Sequence, residues 1–345
     1  MSQVEGACMV EIQRQLQDKS VAEKLYVFGT REFLASKSTD HGWFLSKDFA
    51  LPFWVDRSLA FRRLVFTTET ICLREDLTVE AEKQFLDEIV GICERGKDIR
   101  VDLIATPQAN AVFRAVPSGS ECIAWGSYIV DLTKPETAIF DAFHAKHRNV
   151  IRKASADGVT ITTTRDTALI YGSLKETMVR QRLLFFPSKS YLDELQRQLD
   201  DKITFYIALR EAQLQGAAVV VHNQVGAFYY YGGSIEKPYT GSLNLMQYEI
   251  MRDLKRKNVP VYDLMGARIT TGGDSKIEGI QRFKSRFASS MRRGYSFRRI
   301  IRPVKHRIFI SAVKAYFALK GSQYHGDVID QTRAFQLQTM NGDTP

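Results

Sequence analysis

Between Ile203 and Tyr231 three strand-length apolar segments follow one another, Ile203–Arg210, Gly216–His222 and Val225–Tyr231, with only short connections between them. Such connections join antiparallel strands, because a parallel pair needs a crossover of about a dozen residues or more. Helical periodicity surrounds this block. Glu136–Ala156 carries Ile139, Phe140, Phe143, Val150 and Ile151 on one side and stops at Asp157-Gly158, a glycine stop signal. Thr167–Leu184, Lys189–Leu199 and Ser242–Lys257 read as further helices, and Val159–Thr164 and Val259–Leu264 as strands. Lys276–Ser289 is mostly helix and Tyr295–Ile301 a last strand. Helices, three antiparallel strands, then helix, strand, helix and strand is a mixed α/β order. It does not suit a Rossmann domain, which needs strict βαβ alternation and an early glycine fingerprint.

The first half alternates in a similar way. Gly42–Leu45, Leu64–Thr67 and Ile71–Leu73 read as strands, as do Val101–Ala105 and Ala124–Leu132. Thr78–Cys93 reads as a helix: Thr78 can cap it, Glu80 and Glu82 sit in its first turn, and Phe85, Ile89 and Ile92 share a face. A chain of 345 residues suggests two domains. No segment approaches the roughly 18–20 apolar residues of a membrane span. The start, Met1–Leu16, contains Glu5 and Glu11 and lacks a basic opening, so no secretory signal is expected. Cys8, Cys72, Cys93 and Cys122 are scattered without a CxxC pair, the pattern of reduced thiols in a cytoplasmic protein.

Charge is unevenly placed. The formal net charge is +9, yet no Asp or Glu occurs from Gly279 to Gly326. Twelve cations do: Arg282, Lys284, Arg286, Arg292, Arg293, Arg298, Arg299, Arg302, Lys305, Arg307, Lys314 and Lys320. Removing those 12 from the 48 Lys and Arg leaves 36 against 39 acids, so the remainder is near −3. A local field of one sign attracts phosphates, whether of nucleic acid, anionic lipid or a phosphorylated substrate. Beyond Arg302-Pro303, Val304–Leu319 reads as a helix with Phe309, Ile310, Val313 and Phe317 on one side and Lys305, Arg307 and Lys314 on the other. Such a helix docks on a membrane surface or packs against its own protein.

Four patterns could carry chemistry. Lys146-His147-Arg148-Asn149-Val150-Ile151-Arg152-Lys153-Ala154 places Arg148 and Arg152 one turn apart on a helix. Phe228-Tyr229-Tyr230-Tyr231-Gly232-Gly233-Ser234 runs an aromatic strand into a turn, and strand alternation sends Tyr229 and Tyr231 to one face and Tyr230 to the other. Val261-Tyr262-Asp263-Leu264-Met265-Gly266 ends a strand in a carboxylate and a glycine. Gly279-Ile280-Gln281-Arg282-Phe283-Lys284-Ser285-Arg286-Phe287 interleaves cations with aromatics, and Lys284 points away from the face shared by Arg282 and Arg286.

In this order the four patterns resemble the second domain of the FemABX peptidyltransferases, with an R-x-x-I-R-K-A-like helix, a Y-Y-G-G-S-like strand end, a Y-D-x-x-G-like strand and a G-x-x-x-F-K-x-x-F-like segment. The resemblance covers about Ala124 to Phe297; upstream it rests on His41-Gly42-Trp43-Phe44 and Leu51-Pro52-Phe53. It implies an α/β fold of two GNAT-like domains in tandem, residues 1–134 and 135–301, followed by a basic amphipathic segment over 302–345. It also implies transfer of an amino acid from aminoacyl-tRNA to an amine of a peptidoglycan or other cell-envelope precursor, with a polysaccharide precursor as a further acceptor. Phe283 and Lys284 match the position that holds the donor's ester end, and Asp263 is the nearest motif carboxylate. Arg148, Arg152, Arg182 (in Arg180-Gln181-Arg182), Tyr231 and Arg286 are the expected substrate-binding residues. A first domain shaping an acceptor groove near Trp43 and Lys47 is a further expectation, as is peripheral contact with an anionic membrane.

No cofactor is implied. The alternative donor is acyl-CoA, whose pyrophosphate is usually cradled by a Q/R-x-x-G-x-G/A turn at a helix N-terminus. Pro238-Tyr239-Thr240-Gly241-Ser242-Leu243-Asn244 keeps one glycine of that set. Thr271-Gly272-Gly273-Asp274-Ser275-Lys276 lacks the phosphate-loop frame. His144 and His147 are spaced for a helical pair without a fitting acidic ligand, so no metal site is expected. A non-catalytic RNA- or membrane-binding protein is a third reading, one that leaves the four ordered patterns unexplained.

Overall fold

The computed structural model describes residues 9–58, 60–181, 186–270 and 275–340. The chain forms two units, one of Met1–Gly126, Ala267–Glu278 and Arg293–Pro345, the other of Ser127–Gly266 and Gly279–Arg292. Along the chain come β1 (Glu11–Gln13), α1 (Lys19–Ala22), α2 (Arg31–Lys37), β2 (His41–Leu45), β3 (Phe49–Ser58), β4 (Phe61–Phe66), β5 (Ile71–Cys72), α3 (Val79–Arg95), β6 (Leu103–Ala105) and β7 (Glu121–Asp131). Next are α4 (Glu136–Asp141), α5 (Ala145–Ala156), β8 (Val159–Thr164), α6 (Thr167–Arg180), α7 (Lys189–Leu199), β9 (Ile203–Arg210), β10 (Gln213–His222), β11 (Ala227–Ser234), α8 (Ser242–Arg256) and β12 (Val261–Asp263). The chain closes with β13 (Ala267–Arg268), α9 (Ser275–Ser285), β14 (Ser290–Ile300), α10 (Pro303–Leu319) and α11 (Val328–Met340). The first cut between units falls inside β7, not at 134/135, and α10 and α11 belong to the first unit. A boundary running through a strand carries no linker composition by which a sequence could reveal it.

In the first unit β1, β2, β3 and β4 pair antiparallel in succession, β4 pairs parallel with β6, and β6 antiparallel with β14. Pro52 sits in the middle of β3. On one side β4 pairing ends at Phe53↔Phe66 and β5 pairing resumes at Ala50↔Ile71. The proline lies in that gap, where its missing N–H breaks no ladder bond on that side. The core gathers Phe44, Phe53, Phe66, Phe85, Phe113 and Phe297, with the Phe113 and Phe297 rings edge-on at 4.9 Å. α3 begins as its sequence dictates: Thr78 Oγ1 accepts the Ala81 N–H at 3.1 Å, and its apolar face is buried in this core.

The second unit orders its strands β8-β9-β10-β11, all antiparallel. β12 then lies parallel to β11 and antiparallel to β7. That parallel step needs a crossover, which α8 provides. Helices cover both faces. A Cβ on Gly216 would come within 2.5 Å of Leu243 of α8, and one on Gly233 within 2.6 Å of the Ser173 carbonyl of α6. Gly216 pairs with Ser234 and Ala217 with Gly233, so these two glycines face opposite sides. Glu136–Ala156 is two helices and not one. His144 leaves helical geometry at ψ 138° and its Nδ1 accepts the Lys146 N–H, capping α5. Arg148 Nη1 donates to the carbonyls of Asp141 (2.7 Å) and Phe143, satisfying the end of α4. A break made by a histidine and an arginine side chain leaves the apolar period intact, so the sequence reads straight through it.

The acid-free stretch is less one-signed in space. Within the first unit the Arg298 guanidinium, 8% exposed, binds Glu121 (2.7 Å), Asp327 (2.9 Å) and Asp330 (2.5 Å). Arg299 binds Glu94 and Lys305 binds Asp102. These carboxylates hold Arg298 charged: despite the burial that opposes it, its pKa is raised above the ordinary arginine value. The guanidinium thus ties α11 to β14. Arg298→Met would leave Asp327 and Asp330 without their cation, while Glu121 keeps Arg333, and is expected to cost about 2–3 kcal/mol, below the range for a fully buried pair because the acids stay partly exposed. Urea unfolding reads the loss, and hydrogen exchange should show α11 amides opening first; an unchanged midpoint with protected α11 amides would refute the role.

Candidate functional site

Parallel pairing of β11 with β12 covers Ala227↔Tyr262 and Phe228↔Asp263 and goes no further, although β11 runs on to Ser234. β12 ends at Asp263, and α/β sheets present ligand sites at the carboxyl ends of their strands. β11 also carries a bulge here: Val219 opposes Tyr231 while Val220 opposes Tyr229. Tyr230 is the extra residue, and strand alternation fails. The Tyr230 and Tyr231 rings lie 4.1 Å apart, and the Tyr230 and Tyr191 hydroxyls meet at 3.0 Å. Tyr229 instead is held by Gln247 of α8, which also accepts the Tyr262 hydroxyl at 2.9 Å. Bulges re-aim side chains next to functional sites, and a period-2 reading cannot foresee one.

Asp263 closes β12 and is 1% exposed. Its Oδ1 accepts Ser127 Oγ and the Met265 N–H (2.6 Å), and Arg292 lies 3.6 Å from Oδ2. An aspartate accepting the amide two residues on fixes a turn. Met265 and Gly266 follow at φ 57° and 41°, a left-handed pair that brings both carbonyls onto one cation. That cation is Lys284 of α9: Nζ donates to Met265 O and to Gly266 O (3.0 Å). Burial lowers its pKa to about 8, opposed by the charge of Asp263. Lys284 and Asp263, singled out 21 positions apart in the sequence, are therefore joined through one turn. Phe283 faces the other way, its ring 5.5 Å from His147 and 5.0 Å from Phe287, where it packs α9 on α5.

The other expected residues are placed as follows. Arg148 is occupied by the carbonyls that end α4, and the Arg152 guanidinium lies 5.2 Å from the Phe140 ring, so both arginines hold the α4–α5 corner. Arg286 accepts the His144 N–H at its carbonyl (3.0 Å), and its charge disfavours protonation of His147. Tyr231 is half-buried against Tyr230. Arg182 lies outside the described residues, as do Thr271–Asp274. Arg180 binds Ser234 O at 3.2 Å, tying α6 to the end of β11. In the first unit Trp43 is a core residue, 1% exposed with Nε1 donating to Gly29 O, whereas Lys47 lines a groove of about 470 Å³. Sequence reasoning missed Ser127, Met265 and Gln247: their bonds to the site depend on sheet register, which no spacing encodes.

The first turn of α8 is closed. Gly241 stands at φ 90°, and a Cβ there would come within 2.3 Å of Val150 O on α5. Ser242 is fully buried and its N–H donates to Tyr239 O. No cluster of three or more His, Cys, Asp or Glu able to hold a metal occurs among the described residues, and no described helix is long and apolar enough to cross a membrane.

Comparison with solved structures identifies the fold. FemX superposes with a TM-score of 0.63 at 12% identity, over 86% of this chain and 99% of FemX. A conserved protein of unknown function from Bacteroides thetaiotaomicron follows at TM-score 0.51 and 10% identity, over 84% of this chain and 99% of its own. No family model and no curated protein matches the sequence. The chain thus has a mixed α/β architecture with the fold of FemX.

Two histidines make the second unit acid-sensitive. Burial, first of all, lowers His147 and His222 to about 4, below the unfolded value of about 6.5. Above that value neither is protonated in either state. As pH falls from about 6.5 toward 4 the unfolded chain takes up protons the native one refuses, so stability drops by about 1.4 kcal/mol per pH unit for each histidine. His147→Phe, which suits the surrounding Phe283 and Phe287, should remove about half of that slope in urea unfolding between pH 7 and pH 5. An unaltered slope would contradict it.

Proposed function

We propose that this protein is an acyltransferase that moves an aminoacyl group from aminoacyl-tRNA to an amine of a cell-envelope or polysaccharide precursor, with no bound cofactor. The observation that carries the reading is the Lys284 ammonium, fixed by the carbonyls of Met265 and Gly266 just past the carboxyl end of β12. The fold of FemX supports the class of reaction.

An ammonium has three donors, and two of those on Lys284 are bound to Met265 O and Gly266 O. The third can meet an oxygen of the reacting ester. The acceptor amine, in its neutral form, attacks the ester carbonyl carbon; the C–N bond forms and an oxyanion develops. Collapse breaks the bond to the ribose oxygen, which takes up a proton as the former amine loses one. Protonated Lys284 stabilises the oxyanion or the departing oxygen. A value near 8 also suits it to pass that oxygen a proton at working pH. Asp263 holds the turn that aims Lys284 and is a positioning residue, its Oδ1 already taken by Ser127 and the Met265 amide. Its negative charge keeps Lys284 protonated.

An RNA donor is favoured over acyl-CoA because the first turn of α8 is packed under α5, leaving its Gly241–Ser242 end closed to a pyrophosphate. The test supplies labelled aminoacyl-tRNAs and, separately, acyl-CoAs, each with envelope precursors. Label should move from tRNA, and Lys284→Ala should lower turnover by about 10²–10³-fold, as loss of one preorganised donor does. Activity of the native enzyme should fall above about pH 8 as Lys284 deprotonates, a limb that Lys284→Arg removes. Transfer from CoA alone, or full activity in Lys284→Ala, would refute the reading.

A further inference from the structure

α10 is apolar on two opposite sides. One side, Phe309, Ile310, Val313 and Phe317, is half-buried; the Phe309 ring stacks on Phe61 at 4.3 Å and Phe317 meets Tyr324 at 5.3 Å. The expectation that this side packs and the rest is basic accounts for half of the helix. Val304, Ile308, Ala312, Ala315 and Leu319 fall within about 80° of arc at about 100° per residue, and all five are exposed. Val304, Ile308 and Leu319 are 62%, 65% and 87% exposed. Arg307 and Lys314 flank this stripe on one side, Lys305 and Lys320 on the other, and no acid occurs in the helix.

The N-terminal end of the helix opens on a cavity of about 710 Å³ in the same unit, lined by Arg57, Arg62, Arg95, Arg100, Arg302 and Lys305 with Asp102 as its one acid. Six cations against one acid leave a lining charge of +5. Outside carboxylates reduce it: Arg57 pairs with Asp40 and Arg95 with Glu88. Among the described residues the Arg100 guanidinium donates only to the Gly96 carbonyl and the Arg302 guanidinium only to that of Glu94, and the Arg62 side chain is exposed. Asp102 is committed to the Arg62 N–H and to Lys305.

We propose that this face docks on an anionic lipid surface, with the exposed stripe of α10 at the boundary of headgroups and acyl chains and the cationic cavity holding a lipid phosphate. An apolar stripe with cations on both flanks is the pattern of helices that lie in that plane. Two other occupants fit less well. A second copy would bring like-charged flanks together, and five side chains bury far less than the roughly 800 Å² per partner of a stable interface. An RNA strand would satisfy the cations but leave Ile308 and Leu319 in water. The proposal is independent of the reaction, since binding to lipid needs no turnover.

The test sediments the full chain with phosphatidylcholine vesicles, with and without phosphatidylglycerol. Binding should require the anionic lipid and weaken with salt. Ile308→Gln with Leu319→Gln should lower partitioning about tenfold or more, and Arg62→Gln with Arg100→Gln about fivefold per cation, with the melting temperature unchanged in both. Four results would overturn it: no binding to anionic vesicles, equal partitioning of the double Gln variant of α10, single-stranded RNA binding that Arg62→Gln with Arg100→Gln abolishes while vesicle binding is kept, or a dimer that the α10 variant dissolves.

Discussion

The turn after β12 is the constraint on which the second unit's candidate site depends. Asp263 is buried at the end of a short parallel pair and accepts both a hydroxyl from β7 and an amide two residues ahead. That geometry sets Met265 and Gly266 in a left-handed conformation, and two converging carbonyls then hold the ammonium of Lys284. A lysine so placed is partly stripped of water, and its affinity for the proton falls. The backbone that desolvates it also leaves it a fixed direction. Cation and carboxylate are both placed by one local arrangement.

The acid-free stretch from Gly279 to Gly326 looks uniform in sequence and serves several purposes in the structure. Lys284 is held by carbonyls, Arg292 lies near Asp263, and Arg298 links α11 to β14 through three acids drawn from elsewhere in the chain. Arg302 and Lys305 line a cavity, and Arg307, Lys314 and Lys320 remain on the surface of α10 and just beyond it. The lesson is physical: a run of like charge predicts a field only after the partners supplied by the fold have been subtracted.

Much of the architecture was legible because it rests on local periodicity. α3 with its Thr78 cap, the three antiparallel strands β9, β10 and β11, and the helix α8 all follow from apolar spacing and terminal signals. What the sequence hid depends on contacts between distant residues. β3 carries Pro52 at its middle, a residue that argues against a strand until its neighbours show a gap in which the missing amide is harmless. The break at His144 and the bulge at Tyr230 leave composition untouched and alter direction only. In the site, the pairing of Asp263 with Lys284 could be suspected from the ordered patterns, whereas the tasks of Arg148 and Arg152 at the α4–α5 corner could not.

The central claim is that Lys284 is a desolvated cation held at the carboxyl end of β12. Competitive acylation of the intact protein across a range of pH, with labelling of each lysine followed by mass spectrometry, measures its protonation directly. The account predicts a midpoint near 8 for Lys284, set apart from surface lysines at about 10.4, and a lower one still in Asp263→Asn, where the charge that favours the proton is gone. A Lys284 that titrates with the surface lysines and ignores Asp263 would contradict it.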